Sequence, residues 1–171
     1  MKKLVLFLAC GLMIGNLVFA QTAPLKIGYI NSAELLSAMP ERTKADSDIA
    51  KYAKSFQDQI DLMMKDYQSK GQAYQKDEKT MTEAMKEVRM KEIQDLQNRI
   101  ESINQSAQEK LQAKKQDMYQ PIIDKVNKAL KDVAKEKNFD FIFDQAAGGA
   151  LLYGKESFDI TQMIKQKLGI K

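Results

Sequence analysis

IAKYAKSFQDQIDLMMKDYQSKGQAY, residues 49–74, decides the architecture of this chain. Ile49, Phe56 and Met63 recur at seven-residue intervals, and Ala53, Ile60, Tyr67 and Tyr74 run beside them at three or four residues' distance. Two interleaved apolar series of that period on a charged, Gln-rich background are the seam of a coiled coil. The seam weakens at Lys70 and Gly71, where a charge occupies a d-type position. Glycine next to it lowers helix stability by about 1 kcal/mol relative to alanine. Lys70 and Gly71 are therefore candidate hinge residues.

Further along, the apolar register is lost over 77–82, which places the tip of a helical hairpin there. Thr80 followed by Glu83 has the form of a capping box that opens a second helix. The return helix carries Met85, Ile93, Leu96, Ile100, Ile103 and Ala107, shifts register over 107–111, and continues through Met118, Ile122, Val126, Leu130 and Val133. Pro121 lies inside it. Proline removes one backbone donor and crowds the preceding turn, so a kink or helix junction is expected over 119–121, and Pro121 is a third candidate hinge. A descending helix of about 38 residues and a return of about 55 would span roughly 57 and 82 Å. The surplus of the second must pack on something other than the first.

The flanking segments supply that partner. LKIGYIN, residues 25–31, alternates as a half-buried strand, and Ser32 can cap a short helix bearing Leu35, Leu36 and Met39 before Pro40. After the return helix, Asn138 suits a left-handed closing residue, and Phe139, Phe141 and Phe143 alternate along a strand. A turn through Gly148 and Gly149 leads to a further strand over 150–153. Asp159 and Gln162 then cap a last helix ending at Gly169. The fold class is α+β, mostly α: a long antiparallel coiled-coil hairpin, residues 41–137, projecting from a small β-containing body formed by 21–40 and 138–171. Some sixty residues make a marginal independent core, and unblocked strand edges invite pairing with neighbouring chains, so the body is read as an oligomerisation body.

Residues 1–20 have a basic start at Lys2 and Lys3, an apolar run and a small-residue end, the pattern of a cleavable secretory signal peptide. Its removal takes away Cys10, the sole cysteine, and leaves 25 basic and 23 acidic residues with no His or Trp. Common zinc, haem and Cys/His nucleophile sites are thereby excluded, and no carboxylate or serine constellation replaces them. No catalytic, cofactor-binding or metal-binding residues are assigned, and the chain is not read as an enzyme.

Between Glu41 and Asn138 there are 20 basic and 18 acidic residues, a mixed solvated surface unlike that of a nucleic-acid binder. Local basic spots at Lys114–Lys115 and at Lys86, Arg89 and Lys91 suit either a solvated helix face or weak contact with anionic envelope lipid. Met64, Met81, Met85 and Met90 sit partly off the seam. Methionine is flexible and polarizable, so these side chains either fill gaps between the helices or offer weak contacts to partners of varied shape. Ile27, Tyr29, Phe139, Phe141, Phe143, Leu151 and Tyr153 are expected to form the core of the body.

KIGYIN with SAELLSAMPE, then KVNKALKDVAKEKNFDFIFD, and finally ALLYG with the DIT at 159–161 resemble, in that order, the Skp/OmpH family of periplasmic chaperones. The resemblance covers the whole chain after the signal peptide. It implies a jellyfish-like homotrimer whose strands form a central body, with the seven apolar body residues as trimer core and three hairpins enclosing a cavity. The implied function is an ATP-independent holdase that keeps unfolded outer-membrane β-barrel proteins from aggregating. The alternative is a coiled-coil spacer or adaptor of the cell envelope. Members of the family are often strongly basic, whereas this chain is only slightly so.

Overall fold

The structure, a computed structural model, describes residues 24–148 and 151–170. The expected signal peptide at 1–20 and Ala150 of the expected strand lie outside them. The element order is β1 (Ile27–Ile30), α1 (Ser32–Ser37), α2 (Pro40–Asp77), α3 (Glu83–Lys137), β2 (Phe141–Asp144) and α4 (Thr161–Leu168). Helices α2 and α3 contain 38 and 55 residues, the lengths the seam spacing requires. They make the antiparallel arm.

Strands β1 and β2 pair in parallel, Ile27 opposite Phe141 through Ile30 opposite Asp144. Parallel strands need a long crossover, and here the whole arm is that crossover. Because side chains alternate across a strand, the sheet has two faces. Ile30 and Ile142 face a core completed by Leu35, Ala129, Val133, Ile160 and Ile164. A second cluster of Met39, Ala45, Ile122 and Val126 continues it into the base of the arm. Residues 118–133 of α3 are thus the surplus that packs on the body.

Several expectations are corrected. Among the described residues the sheet has two strands, not three: residues 151–153 are irregular, and it is Asp159 that bridges Tyr29, with the Ile160 N–H donating to the Tyr29 carbonyl at 2.9 Å. The chain instead crosses the outer sheet face, where a Cβ on Gly154 would stand 2.5 Å from the Tyr29 ring. Phe141, Phe143 and Tyr153 do not belong to the core of a single chain, being 52%, 40% and 79% exposed. Alternation puts the two phenylalanines on the face opposite the helices. Ile27 is exposed with them, Phe139 packs against the core, and Tyr29 is buried.

Two caps also move. Asn31, not Ser32, caps α1 by accepting from the Glu34 N–H at 3.1 Å. Thr82, not Thr80, caps α3 by accepting from the Met85 N–H, while the Thr80 hydroxyl donates to the Asp77 carbonyl. No helix junction occurs at Pro121, through which α3 runs unbroken. Pro121 and Asp117, whose carbonyl loses its donor, are both exposed, so water can satisfy that carbonyl. Asn138 closes α3 in the left-handed region at φ 52°, and Gly169 closes α4 at φ 72°.

The seam of α2 keeps its register: Ile49 is buried and 53, 56, 60, 63, 67, 70 and 74 are all half-buried. Helix α3 meets it with Ile93, Leu96, Ile100, Ile103 and Ala107 turned inward at the same three- and four-residue spacing. Leu96, Ala107, Met118 and Ala129, and likewise Ile100, Leu111, Ile122 and Val133, face inward at eleven-residue intervals. Helix α2 shows the same mixture, with Ala45, Phe56 and Tyr67 at eleven-residue intervals, so the two seams match in length, 29 residues from Ala45 to Tyr74 and 29 from Ile93 to Ile122. Two slender helices shield a seam only partly, so α2 buries only Ala45 and Ile49, and α3 buries only Leu96 and Ile100 outside its body-packed end.

Candidate functional site

Two surfaces stand out, the arm and the outer face of the sheet. On the arm, helix periodicity turns Leu62, Met64, Met85, Val88 and Met90 into water, Leu62 being 68% exposed. Met64 edges a groove shared with Tyr67 and Ile100. Met81 lies in a hollow near the tip with Lys70, Tyr74, Arg89 and Ile93. Met85 and Met90 line neither hollow, so the four methionines are spread along the distal arm, not gathered in one pocket.

Polar ties between the two helices occupy both ends of the arm. At the base, the Tyr119 hydroxyl donates to Asp46 Oδ1 at 2.5 Å and Lys125 pairs with Glu41. The carboxylate at 46 stabilises the protonated phenol and raises the Tyr119 pKa, with burial adding to the effect. Near the tip, Lys70 Nζ reaches Glu92 Oε2 at 3.4 Å, and Arg89 reaches the same oxygen at 3.2 Å. Hydrogen bonds from Lys70 and then Arg89 hold the Glu92 carboxyl below its ordinary range. The residue that weakens the seam in sequence therefore has a partner. Sequence reasoning missed Glu92 because only the pairing of the helices shows which carboxylate meets Lys70. Gly71 has no atom within 4 Å of where a Cβ would lie.

The outer sheet face combines Ile27, Tyr29, Phe141 and Phe143 with Leu25, Tyr153 and Phe158 around an apolar groove of about 310 Å³. The rings of Phe141 and Phe143 stack with centroids 6.4 Å apart. Burial raises the Tyr29 pKa, and Asp159 and Glu156 reinforce the shift. Beside this face Asp144 Oδ1 accepts from the Ser32 and Ala146 N–H groups, and these bonds outweigh desolvation to lower its pKa. Of the expected body residues, Ile27, Tyr29, Phe143, Leu151 and Tyr153 line the groove, Phe141 stacks next to it, and Phe139 lies on the core side.

The model of a family of outer membrane proteins described as OmpH-like matches residues 26–168, which span the arm and both halves of the body. The chain belongs to the OmpH-like family. It is 25% identical over 166 residues to the chaperone protein Skp of Photorhabdus laumondii, covering 97% of this chain and 99% of that one. It is 22% identical to the chaperone protein Skp of Vibrio cholerae, over 96% and 97% of the two chains. A crystal structure of an OmpH-like protein from Caulobacter crescentus superposes with a TM-score of 0.74 at 14% identity, covering 85% of each chain, and shares the fold.

Within this chaperone family the surface features fall into place as a long charged arm with scattered apolar side chains and a body with one open apolar face. Leu62, Val88 and Ile123 belong with the methionines as exposed apolar residues of the OmpH-like arm. Their off-seam spacing was the available signal. The basic spot at Lys86, Arg89 and Lys91 is muted, since Lys86 pairs with Glu83 at 2.7 Å and Arg89 with Glu92. Among the described residues no helix is long and apolar enough to cross a membrane.

Proposed function

We propose that this OmpH-like chain is an ATP-independent holdase of the periplasm, which binds unfolded outer-membrane β-barrel proteins between helical arms and keeps them from aggregating. The observation that carries the reading is the arm itself: apolar side chains at 62, 64, 85, 88 and 90 stand exposed on a charged double helix with almost no core. Each contact is weak. Several arms around one client raise its effective concentration at those contacts, so many weak contacts add to useful retention without nucleotide hydrolysis. The chaperone names of the relatives from Photorhabdus and Vibrio support the same reading.

The cage needs several chains, and a homotrimer is the assembly proposed. The outer sheet face supports it, because Ile27, Phe141, Phe143, Leu151 and Tyr153 form an apolar surface that a second copy would cover. Met64, Met81, Met85 and Met90 are proposed client contacts. Lys70–Gly71 and Pro121 are proposed sites of arm bending that adapt the cavity to client size, and anionic lipid is a weak secondary partner.

The test is light scattering of a denatured outer-membrane barrel diluted into buffer with the signal-free protein. Suppression is expected at near-stoichiometric amounts, with native mass spectrometry showing one client on an oligomer. Unchanged aggregation at several-fold excess overturns the holdase reading, and capture of one folded partner instead supports the spacer.

A further inference from the structure

Side by side, the two helices of the arm present two broad faces, and these differ in chemistry. Each residue advances about 100° around a helix, so side chains a quarter-turn to either side of the seam fall on one face or the other. Contacts between the helices fix the sides. Tyr119 of α3 meets Asp46 of α2 on the first face, where Met64 also shares its groove with Gln97 and Glu101. Lys70 of α2 meets Glu92 of α3 on the second.

Over residues 57–75 of α2 the first face presents Gln57, Met64, Gln68 and Gln75, spaced by seven, four and seven residues. Facing them along α3 come Met90, Gln97, Glu101, Asn104 and Gln108. All are exposed. Glu101 is the only charge among them, and it accepts from Gln97 Nε2 at 3.2 Å, while Asp61 at the border accepts from Gln57 at 2.8 Å. Over the same stretch the second face carries Asp66 and Lys70 of α2 with Glu92 and Arg99 of α3. Leu62 and Val88 turn toward that charged side. Asp58, Lys65 and Asp66 stand one turn from Leu62, and Lys91 and Glu92 one turn from Val88.

We propose that the amide face is the docking surface for an extended, unfolded polypeptide, gripped through its backbone. A primary amide carries both donor and acceptor, the same two groups that an unfolded backbone leaves without protein partners. Neutral amides meet either polarity and read no sequence. Each charge on the second face meets one polarity only and must shed tightly held water, which also makes Leu62 and Val88 poor anchors. Gln68, Gln75 and Gln108 make no side-chain hydrogen bond among the described residues, so their amides are open to a docked chain. Met64 and Met90 lie among the amides and mould to whichever apolar side chains alternate along it. A folded partner is not the occupant, because selecting one fixed surface draws on matched charge, which this face lacks. The inference rests on the holdase reading and adds to it the side of the arm that meets the client.

The experiment places the photo-reactive residue p-benzoylphenylalanine in the signal-free protein at Gln68 or Gln97 on the amide face, or at Asp66 or Arg99 on the charged face. All four positions are exposed. Irradiation with a denatured outer-membrane barrel is expected to give strong cross-links from 68 and 97 and weak ones from 66 and 99. A barrel of scrambled sequence gives the same pattern. Gln68→Glu, Gln97→Glu and Gln108→Glu together keep the side-chain shape but charge the face, and raise the client dissociation constant roughly tenfold. Gln59→Glu, Ala73→Glu and Ser106→Glu together charge the opposite face and leave the constant unchanged, with helical circular dichroism of both variants matching the parent. Equal cross-linking from the two faces, preference for 66 and 99, loss of cross-links on scrambling, or an unchanged constant after the Gln→Glu changes overturns the amide face and leaves the holdase reading standing. Arm-to-arm cross-links from 68 or 97 without client overturn it in favour of a contact between copies. A parent protein that neither suppresses aggregation nor cross-links client at any position overturns the holdase reading, and the docking face with it.

Discussion

Helix α3 lives in two environments. From residue 118 to 137 it packs on the sheet, α1 and α4, and buries Ile122, Val126, Ala129 and Val133. From residue 83 to 117 it runs beside α2 and buries Leu96 and Ile100. Both stretches have helical propensity and an apolar stripe. The difference is the partner: a layered body encloses a stripe, whereas one slender helix shields half of it. The body-packed end is thus a structural element and the distal stretch a surface, although no boundary in local conformation separates them.

The largest expected effect separates the two regions by core truncation. Ile164→Ala removes a fully buried side chain of the body and is expected to cost about 2–5 kcal/mol, whereas Ile60→Ala on the half-buried arm seam costs about 1 kcal/mol. Urea denaturation at one fixed protein concentration checks this, since assembly adds to apparent stability. Equal losses would dissolve the distinction.

Next is Gly154→Ala, whose new methyl would stand 2.5 Å from the Tyr29 ring, so that the ring or the chain at 154 must shift. A loss of about 1–3 kcal/mol is expected, together with exposure of Tyr29 to iodination, read by mass spectrometry. Gly71→Ala has the opposite sign. With open space around the Cβ it should stabilise the arm by about 0.5–1 kcal/mol, measured by denaturation. If Gly71 is a bending point, protection of large clients falls while that of small clients is kept.

The smallest effect is that of pH. Asp144, Glu41, Glu92 and Asp132 all titrate below their ordinary values in the folded chain. A carboxylate with a depressed folded pKa contributes stability above its unfolded pKa of about 4 and loses it as pH falls through the folded value. Acid unfolding below about pH 4 is therefore expected, and Asp144→Asn should flatten that limb by removing one of the four contributions.

Much of this was legible in the chain. Seven-residue spacing from Ile49 to Tyr74 set the first helix in register, and the lengths of both arms followed from where that spacing failed. Asn138 and Gly169 were legible as left-handed closures because few residues accept that backbone. The placement of Phe141, Phe143 and Tyr153 was not, for alternation reveals two faces of a strand but not which one the helices cover. The caps slipped by one or two residues because Asn31 and Ser32, or Thr80 and Thr82, offer equivalent acceptors, and only the entering backbone chooses. The pairing of Lys70 with Glu92 depends on how the two helices are set side by side, which the spacing within either one does not state.

The parallel pairing of Ile27 with Phe141 joins residues 114 positions apart. In a flexible chain, closing so long a loop is slow and entropically costly. Here the intervening chain folds back on itself through local contacts, on the microsecond scale of helix formation, and delivers the two strands side by side. The arm is therefore the folding scaffold of its own base. Removing matched heptads from both helices should leave the refolding rate almost unchanged, whereas unravelling either helix should slow it severely.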